Sequence, residues 1–203
     1  MLQNRVDPSG NIIRTEARGL FMGNRGVLHN DNKEIVRPYK IKIWITCMLA
    51  FKNRRRPVMA PNRYTELFFM DEATSFAAGH RPCFECRKAD AHQFKSLWLK
   101  GNPDKGFNEK TLIKEIDNIL HTERIDEHNL KITFGEHPEN LPDGTFVRIG
   151  EEPYLLNKGL LYLWSPGGYS EGIPLPGSGK LPVLTPASVV NAFRAGYVPQ
   201  MAI

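Results

Sequence analysis

Apolar and polar positions alternate most cleanly over residues 41–50, where Ile41, Ile43, Ile45, Cys47 and Leu49 fall on every second position. A period of two places them on one face of a strand, so that face is expected to meet the core. The Asn-Arg-Arg-Arg run at 53–56 then predicts a turn into a second short strand at 57–59, with arginines near a hairpin tip. A third extended run covers 64–69. Residues 70–78 read as a short helix with early acids, closed by Gly79 in the left-handed conformation. A second helix is expected to open at or just after Cys86 and run to Gly101. A third covers 108–121, where Leu112, Ile113, Ile116, Ile119 and Leu120 form an apolar stripe.

Beyond this the pattern turns mostly to strands, at 130–134, 145–149, 154–156 and 160–164. The last two flank Asn157-Lys158-Gly159, a hairpin signal. Glycines and prolines from Gly167 to Gly179 predict a long loop. Thr185-Pro186 predicts a final helix start, with Thr185 as N-cap. The order is mixed rather than alternating, which gives an α+β class. The expected layout is a basic hairpin-and-helix region over 1–101, stapled by a metal, and a helix plus β-rich region over 102–203. The two are expected to pack as one globular unit.

Length and composition fit this layout. The chain has 203 residues, 41% hydrophobic and 24% charged, which suits a folded domain with a substantial interior. No apolar run approaches the roughly 20 residues of a membrane span, and the first residues lack the apolar core of a signal peptide. With three cysteines, an odd number, a reducing cytoplasmic setting is expected rather than a disulfide framework.

Charge is unevenly spread. Residues 1–63 carry thirteen Lys/Arg against four Asp/Glu, a net +9, whereas the remaining 140 carry fourteen against eighteen, a net −4. Such polarity suits a surface that meets a polyanion, and equally a solvated basic lobe. On the first reading Arg54, Arg55, Arg56 and Arg63 track phosphates, while Trp44 or Tyr64 stacks on an unpaired base.

The most specific motif is Gly79-His80-Arg81-Pro82-Cys83-Phe84-Glu85-Cys86. Two thiolates at Cys-x2-Cys spacing can grip one tetrahedral ion, which makes Cys83 and Cys86 candidate zinc ligands. Cys47 is either a third ligand or a small buried core residue, and His80 and His92 are the nearest imidazoles for a fourth position. Pro-Cys-x2-Cys also occurs in zinc-dependent nucleobase deaminases, whose proton shuttle comes from a His-x-Glu segment. Here His121-Thr122-Glu123 and His137-Pro138-Glu139 both follow the cysteines, the reverse of the usual order. A small zinc hydrolase or deaminase is therefore the alternative to a non-catalytic role. A thiolate flanked by Arg81 and Arg87 also suits nucleophilic chemistry, without distinguishing it from metal ligation.

The segment from Phe69 through Ala77-Ala78-Gly79 to Arg81-Pro82-Cys83-Phe84-Glu85-Cys86 resembles the second half of the Ada-type zinc-binding domain. That family carries Ala-Gly-aromatic-Arg-Pro-Cys-x2-Cys after a β-hairpin and short helix. The resemblance implies a zinc-stapled module associated with DNA, with Cys83 and Cys86 as two of four ligands and His80 at the aromatic position. It also implies a link to DNA repair or stress response. The upstream Cys-x3-Cys pair is reduced to Cys47, with Phe51 at the partner position. The phosphate-methyl transfer of the Ada repair protein is not carried over, because no Pro-Cys-His-Arg motif or helix-turn-helix follows. The chain as a whole resembles bacterial proteins, a likeness that adds no chemistry.

Overall fold

The computed structural model describes residues 1–53 and 57–203. The arginine triplet predicted at a hairpin tip, Arg54, Arg55 and Arg56, lies outside the described residues. Five short strands come first: β1 (Gln3–Val6), β2 (Ile12–Arg14), β3 (Phe21–Asn24), β4 (Ile45–Cys47) and β5 (Leu67–Phe69). Helix α1 (Glu72–Ala77), strand β6 (Arg81–Pro82) and helices α2 (Lys88–Gly101) and α3 (Ile113–Arg124) follow. The chain ends with β7 (Phe134–Glu136), β8 (Phe146–Ile149), β9 (Glu152–Asn157), β10 (Leu160–Ser165), β11 (Gly168–Pro174), β12 (Leu181–Val183) and α4 (Ala187–Arg194). One sheet has the order β2-β1-β5-β3-β4-β6 and the other β11-β10-β9-β8-β12-β7, an α+β arrangement. The second sheet is antiparallel throughout its described pairs. The first includes two parallel pairs, β1 with β5 and β4 with β6.

Helix α1 lies where the layers meet, and all six of its residues are buried. Phe76 packs among Phe94, Trp98, Ile116, Leu120 and Phe193 from the other helices. Ala73 and Ala77 pack against Phe146, Leu155 and Trp164 of the second sheet. Ala78, just beyond, meets Val6, Leu67 and Phe69 of the first. Asp71 caps the helix by accepting from Thr74 N at 2.8 Å, and its other oxygen accepts from Tyr169 Oη at 2.8 Å. Gly79 closes it at φ +87°, where a Cβ would come within 2.5 Å of Arg124 Cδ. Only glycine fits there.

Several expectations need correction. Burial in 41–50 does not follow one face: Trp44, Thr46 and Cys47 are 2%, 0% and 8% exposed, while Ile41, Ile43 and Leu49, expected inside, are 42%, 43% and 54% exposed. Only Ile45–Cys47 forms a strand, because β4 is held between β3 and β6 rather than folded into its own hairpin. Residues 57–59 form turns, and Met59 sits buried with its N–H on Glu66 Oε2 at 2.8 Å. The expected glycine-rich loop contains β11, paired to β10. There Gly172 lies under the Tyr162 ring, where a Cβ would approach to 2.9 Å, so the glycine is a packing residue. At α4 the Thr185 hydroxyl accepts from Phe146 N instead of capping, and Glu123 caps the helix by accepting from Ser188 N and Oγ. The strand expected at 130–134 forms at Phe134–Glu136, and Lys131 makes one isolated bridge with Ile125.

Candidate metal centre

Two separate segments bring thiols together. Cys47 ends β4, and Cys83 immediately follows β6, its parallel neighbour. Arg81 N donates to Trp44 O at 3.2 Å and Cys83 N to Thr46 O at 3.0 Å, which sets the two cysteines side by side. The chain then turns through Phe84 and Glu85, and Arg87 N donates to Cys83 O at 3.0 Å. That turn swings Cys86 back toward the pair. The Sγ atoms of Cys47, Cys83 and Cys86 all lie within 4.8 Å of one another. Four-coordinate zinc at about 2.3 Å from each sulfur spaces the sulfurs about 3.8 Å apart, so a small contraction closes the set around an ion. Cys47 is therefore both 8% exposed and a member of the group.

The surroundings fix this geometry. Arg87 is buried and holds Glu72 at 2.6 Å and Asp90 at 2.8 Å. Glu72 also accepts from Tyr197 Oη at 2.8 Å and from Gln200 N at 2.9 Å, tying the turn to α1 and the C-terminal segment. Arg81 forms a two-pronged pair with Asp117 of α3, at 2.8 and 2.7 Å. Buried pairs of this kind cost several kcal/mol when one partner is removed. Arg81 is thus held by a carboxylate far along the chain, and Arg87 by the distant Glu72 together with its i,i+3 neighbour Asp90.

The three thiols share protons unequally. Cys83 is pulled down to about 5, chiefly by a hydrogen bond from the Cys47 thiol and further by backbone N–H groups of Cys86 and Glu85. Glu85 N lies 3.3 Å from its sulfur. Cys47 is pushed far up because it donates that hydrogen bond and is buried. Burial also raises Cys86, although the Met48 N–H opposes the shift. One thiolate cradled by two thiols is the donor set that a thiophilic cation completes by displacing protons.

Neither imidazole joins the group. His80 is fully buried, 4.6 Å from the Phe69 ring and 5.2 Å from Trp44, and its Nε2 accepts from Arg25 Nε at 3.3 Å. Burial, then Arg25 and Arg124, hold it neutral. It serves as a packing aromatic. His92 is exposed on α2 with its ring 5.2 Å from Phe84. Neither shuttle candidate belongs to the group: Glu123 caps α4, and the exposed Glu139 lies 3.7 Å from His137.

Trp44 is not a base-stacking platform. It is 2% exposed, with Arg25 Cζ 3.9 Å and Arg124 Cζ 3.7 Å from its ring centroid. Buried and already in contact with two guanidiniums, the ring has no open face to offer a base. Arg63 is exposed and Tyr64 half-buried, close in sequence to the undescribed triplet. Arg25, Arg124 and Asp117 belong to the site's surroundings without any motif that marks them. A signal existed for the last two, since they extend the Ile113-Ile116-Leu120 stripe of α3 at helical spacing and are buried with it.

No family model, curated protein or solved structure matches the chain.

Proposed function

We propose that this is a zinc-binding protein in which Cys47, Cys83 and Cys86 hold the ion, and whose basic N-terminal face associates with nucleic acid in a non-catalytic role. The observation that carries the metal reading is the convergence of three sulfurs from two segments onto one point. A thiolate-rich set favours zinc over harder cations. Three protein ligands leave a fourth position to water or to a partner's donor. The nucleic-acid part is supported by the exposed cations Arg14, Arg18, Lys33, Lys40, Lys42, Lys52 and Arg63 within the strongly basic residues 1–63. The likeness of residues 69–86 to an Ada-type module points the same way. Glu123 and Glu139 both stand outside the thiol group, which favours the non-catalytic role over a deaminase-like one.

Metal analysis of freshly purified protein tests the first part: about one zinc per chain is expected, lost in Cys83→Ser and Cys86→Ser and reduced in Cys47→Ser. Metal-free protein, or occupancy indifferent to these changes, would remove it. For the second part, affinity for single- or double-stranded DNA should fall steeply between 50 and 200 mM salt. Replacing Arg54, Arg55 and Arg56 together by Ala should weaken it about tenfold or more. Binding that ignores both salt and the triple substitution would leave only the metal.

A further inference from the structure

Beside Trp44, just before β4, lies a cleft of about 500 Å³ whose wall also includes Arg25, Arg124 and Lys131. Its chemistry is unbalanced. Arg25 and Arg124 are each 1% exposed, yet no carboxylate among the described residues pairs with them or with Lys131. Their hydrogen bonds go to neutral acceptors. Arg25 Nη1 donates to Gly10 O at 2.9 Å, Arg124 Nη1 to Gly79 O at 2.9 Å, and Arg124 Nη2 to Lys42 O at 2.7 Å. Lys131 Nζ donates to Ala77 O, leaving two of its N–H groups uncommitted. Arg25 Nη2, Arg124 Nε and His80 Nδ1 are buried with no hydrogen-bond partner among the described residues. The nearest carboxylates act only at longer range: Asp7, bonded to Asn11 N and Nδ2 at 2.9 Å each, offsets part of the charge on Arg25 and Lys131, and Asp117 is paired with Arg81.

Burying one uncompensated cation is costly, and three around one cleft repel each other as well. A fold keeps such an arrangement where an anion completes it. Fixed guanidinium forks and a lysine with free N–H groups match a dianion carrying three or more acceptor oxygens better than a carboxylate. The rest of the wall fits an organic remainder, with Ile12, Val36 and Leu130 apolar and Asn11 and Asn129 polar. The volume is that of a small-molecule site. We propose that this cleft binds a phosphate monoester of up to mononucleotide size, its phosphate seated against Arg25, Arg124 and Lys131. Burial pulls Lys131 down to about 7 and Arg25 to about 9, with Asp7 opposing only in part, so both cations stand to gain from an anion in direct contact.

The test uses the intact chain and compares inorganic phosphate and a nucleoside 5′-monophosphate with the unphosphorylated nucleoside, succinate and a short oligonucleotide lacking terminal phosphates, all at equal ionic strength. Both phosphate probes should raise Tm by about 5 °C near a hundred times Kd. The monophosphate should bind at least tenfold more tightly than the nucleoside by calorimetry. Lys131→Gln should leave Tm without phosphate unchanged or higher, yet weaken monophosphate binding about tenfold, an opposition that a purely structural lysine would not show. If that variant does not fold, Arg37→Gln at the exposed rim of the same cleft should weaken the monophosphate and leave the nucleoside unaffected. The proposal is overturned by succinate matching phosphate, by the unphosphorylated oligonucleotide matching the monophosphate, by no probe shifting Tm, or by the folded variant binding as the parent does.

Discussion

Cys83 and Arg81, two residues apart, are governed by partners far along the chain. With Cys83 held near 5 by the Cys47 thiol and nearby N–H groups, the site at neutral pH carries one thiolate and two thiols. Loading with zinc should therefore release about two protons, and affinity should climb with pH across roughly 6 to 8. Calorimetry in buffers of different ionisation enthalpy reads that number, and zero release would mean that the sulfurs are not the ligands. Arg81 makes a different kind of prediction. Its paired oxygens on Asp117 are buried, so Asp117→Ala strands a guanidinium and should cost about 3–5 kcal/mol in denaturant unfolding. Arg81 and Asp117 replaced together by apolar residues should recover part of that loss, because the cost lies in the orphaned charge.

At the scale of elements, β4 shows how a clear alternation can extend past the residues that are buried: Cys47 goes inside as the pattern expects, but Ile41, Ile43 and Leu49 do not. Alternation in 41–50 is real, but Trp44 and Thr46 go inward because the Arg25 and Arg124 guanidiniums and the Ser75 hydroxyl supply their partners. Ile41 and Ile43 are left half in solvent. Ile43→Ser should then cost less than about 1 kcal/mol, whereas Trp44→Ala should cost about 3 kcal/mol or more. Reversed costs would restore the isoleucine face. Legible elements are those with local causes. Asp71 and Gly79 bracket α1 as a cap and a left-handed stop, and Lys158 and Gly159, with φ of 49° and 74°, make the tight turn between β9 and β10. The unread ones depend on distant partners: β11 is a strand because β10 offers it an edge, and α4 starts where it does because Glu123 reaches Ser188.

For the whole molecule, the basic N-terminal sequence divides between surface and interior. Arg25, counted among its charges, is interior and forms one cationic cluster with Arg124 and Lys131 from the second half of the chain. Stability should reflect this. Lys131 titrates near 7 when folded and near 10.5 when unfolded, so between those values the unfolded chain binds the extra proton. Unfolding free energy should accordingly rise from pH 7 toward pH 10 and fall again on returning to pH 7, a slope that Lys131→Gln should flatten. Denaturant melts at several pH values check it. If the thiols hold zinc as proposed, its removal should act more locally. None of the four hydrophobic clusters includes a cysteine, and the β4–β6 pairing is made by backbone groups. Chelation is expected to lower Tm while far-UV circular dichroism keeps its shape, unlike a zinc finger, which has little other core.

The sequence by itself determined the α+β class, the helices on either side of the cysteine turn, the late hairpin and the Cys-x2-Cys pair. Each of these is written in neighbouring residues, through caps, turn residues and spacing. Only the tertiary structure decided that Cys47 joins that pair, that His80 packs as an aromatic, and that cations from both halves of the chain line one cleft. Those outcomes depend on which strands lie side by side and which charges are left without a partner, and both are settled by packing between segments far apart in the chain.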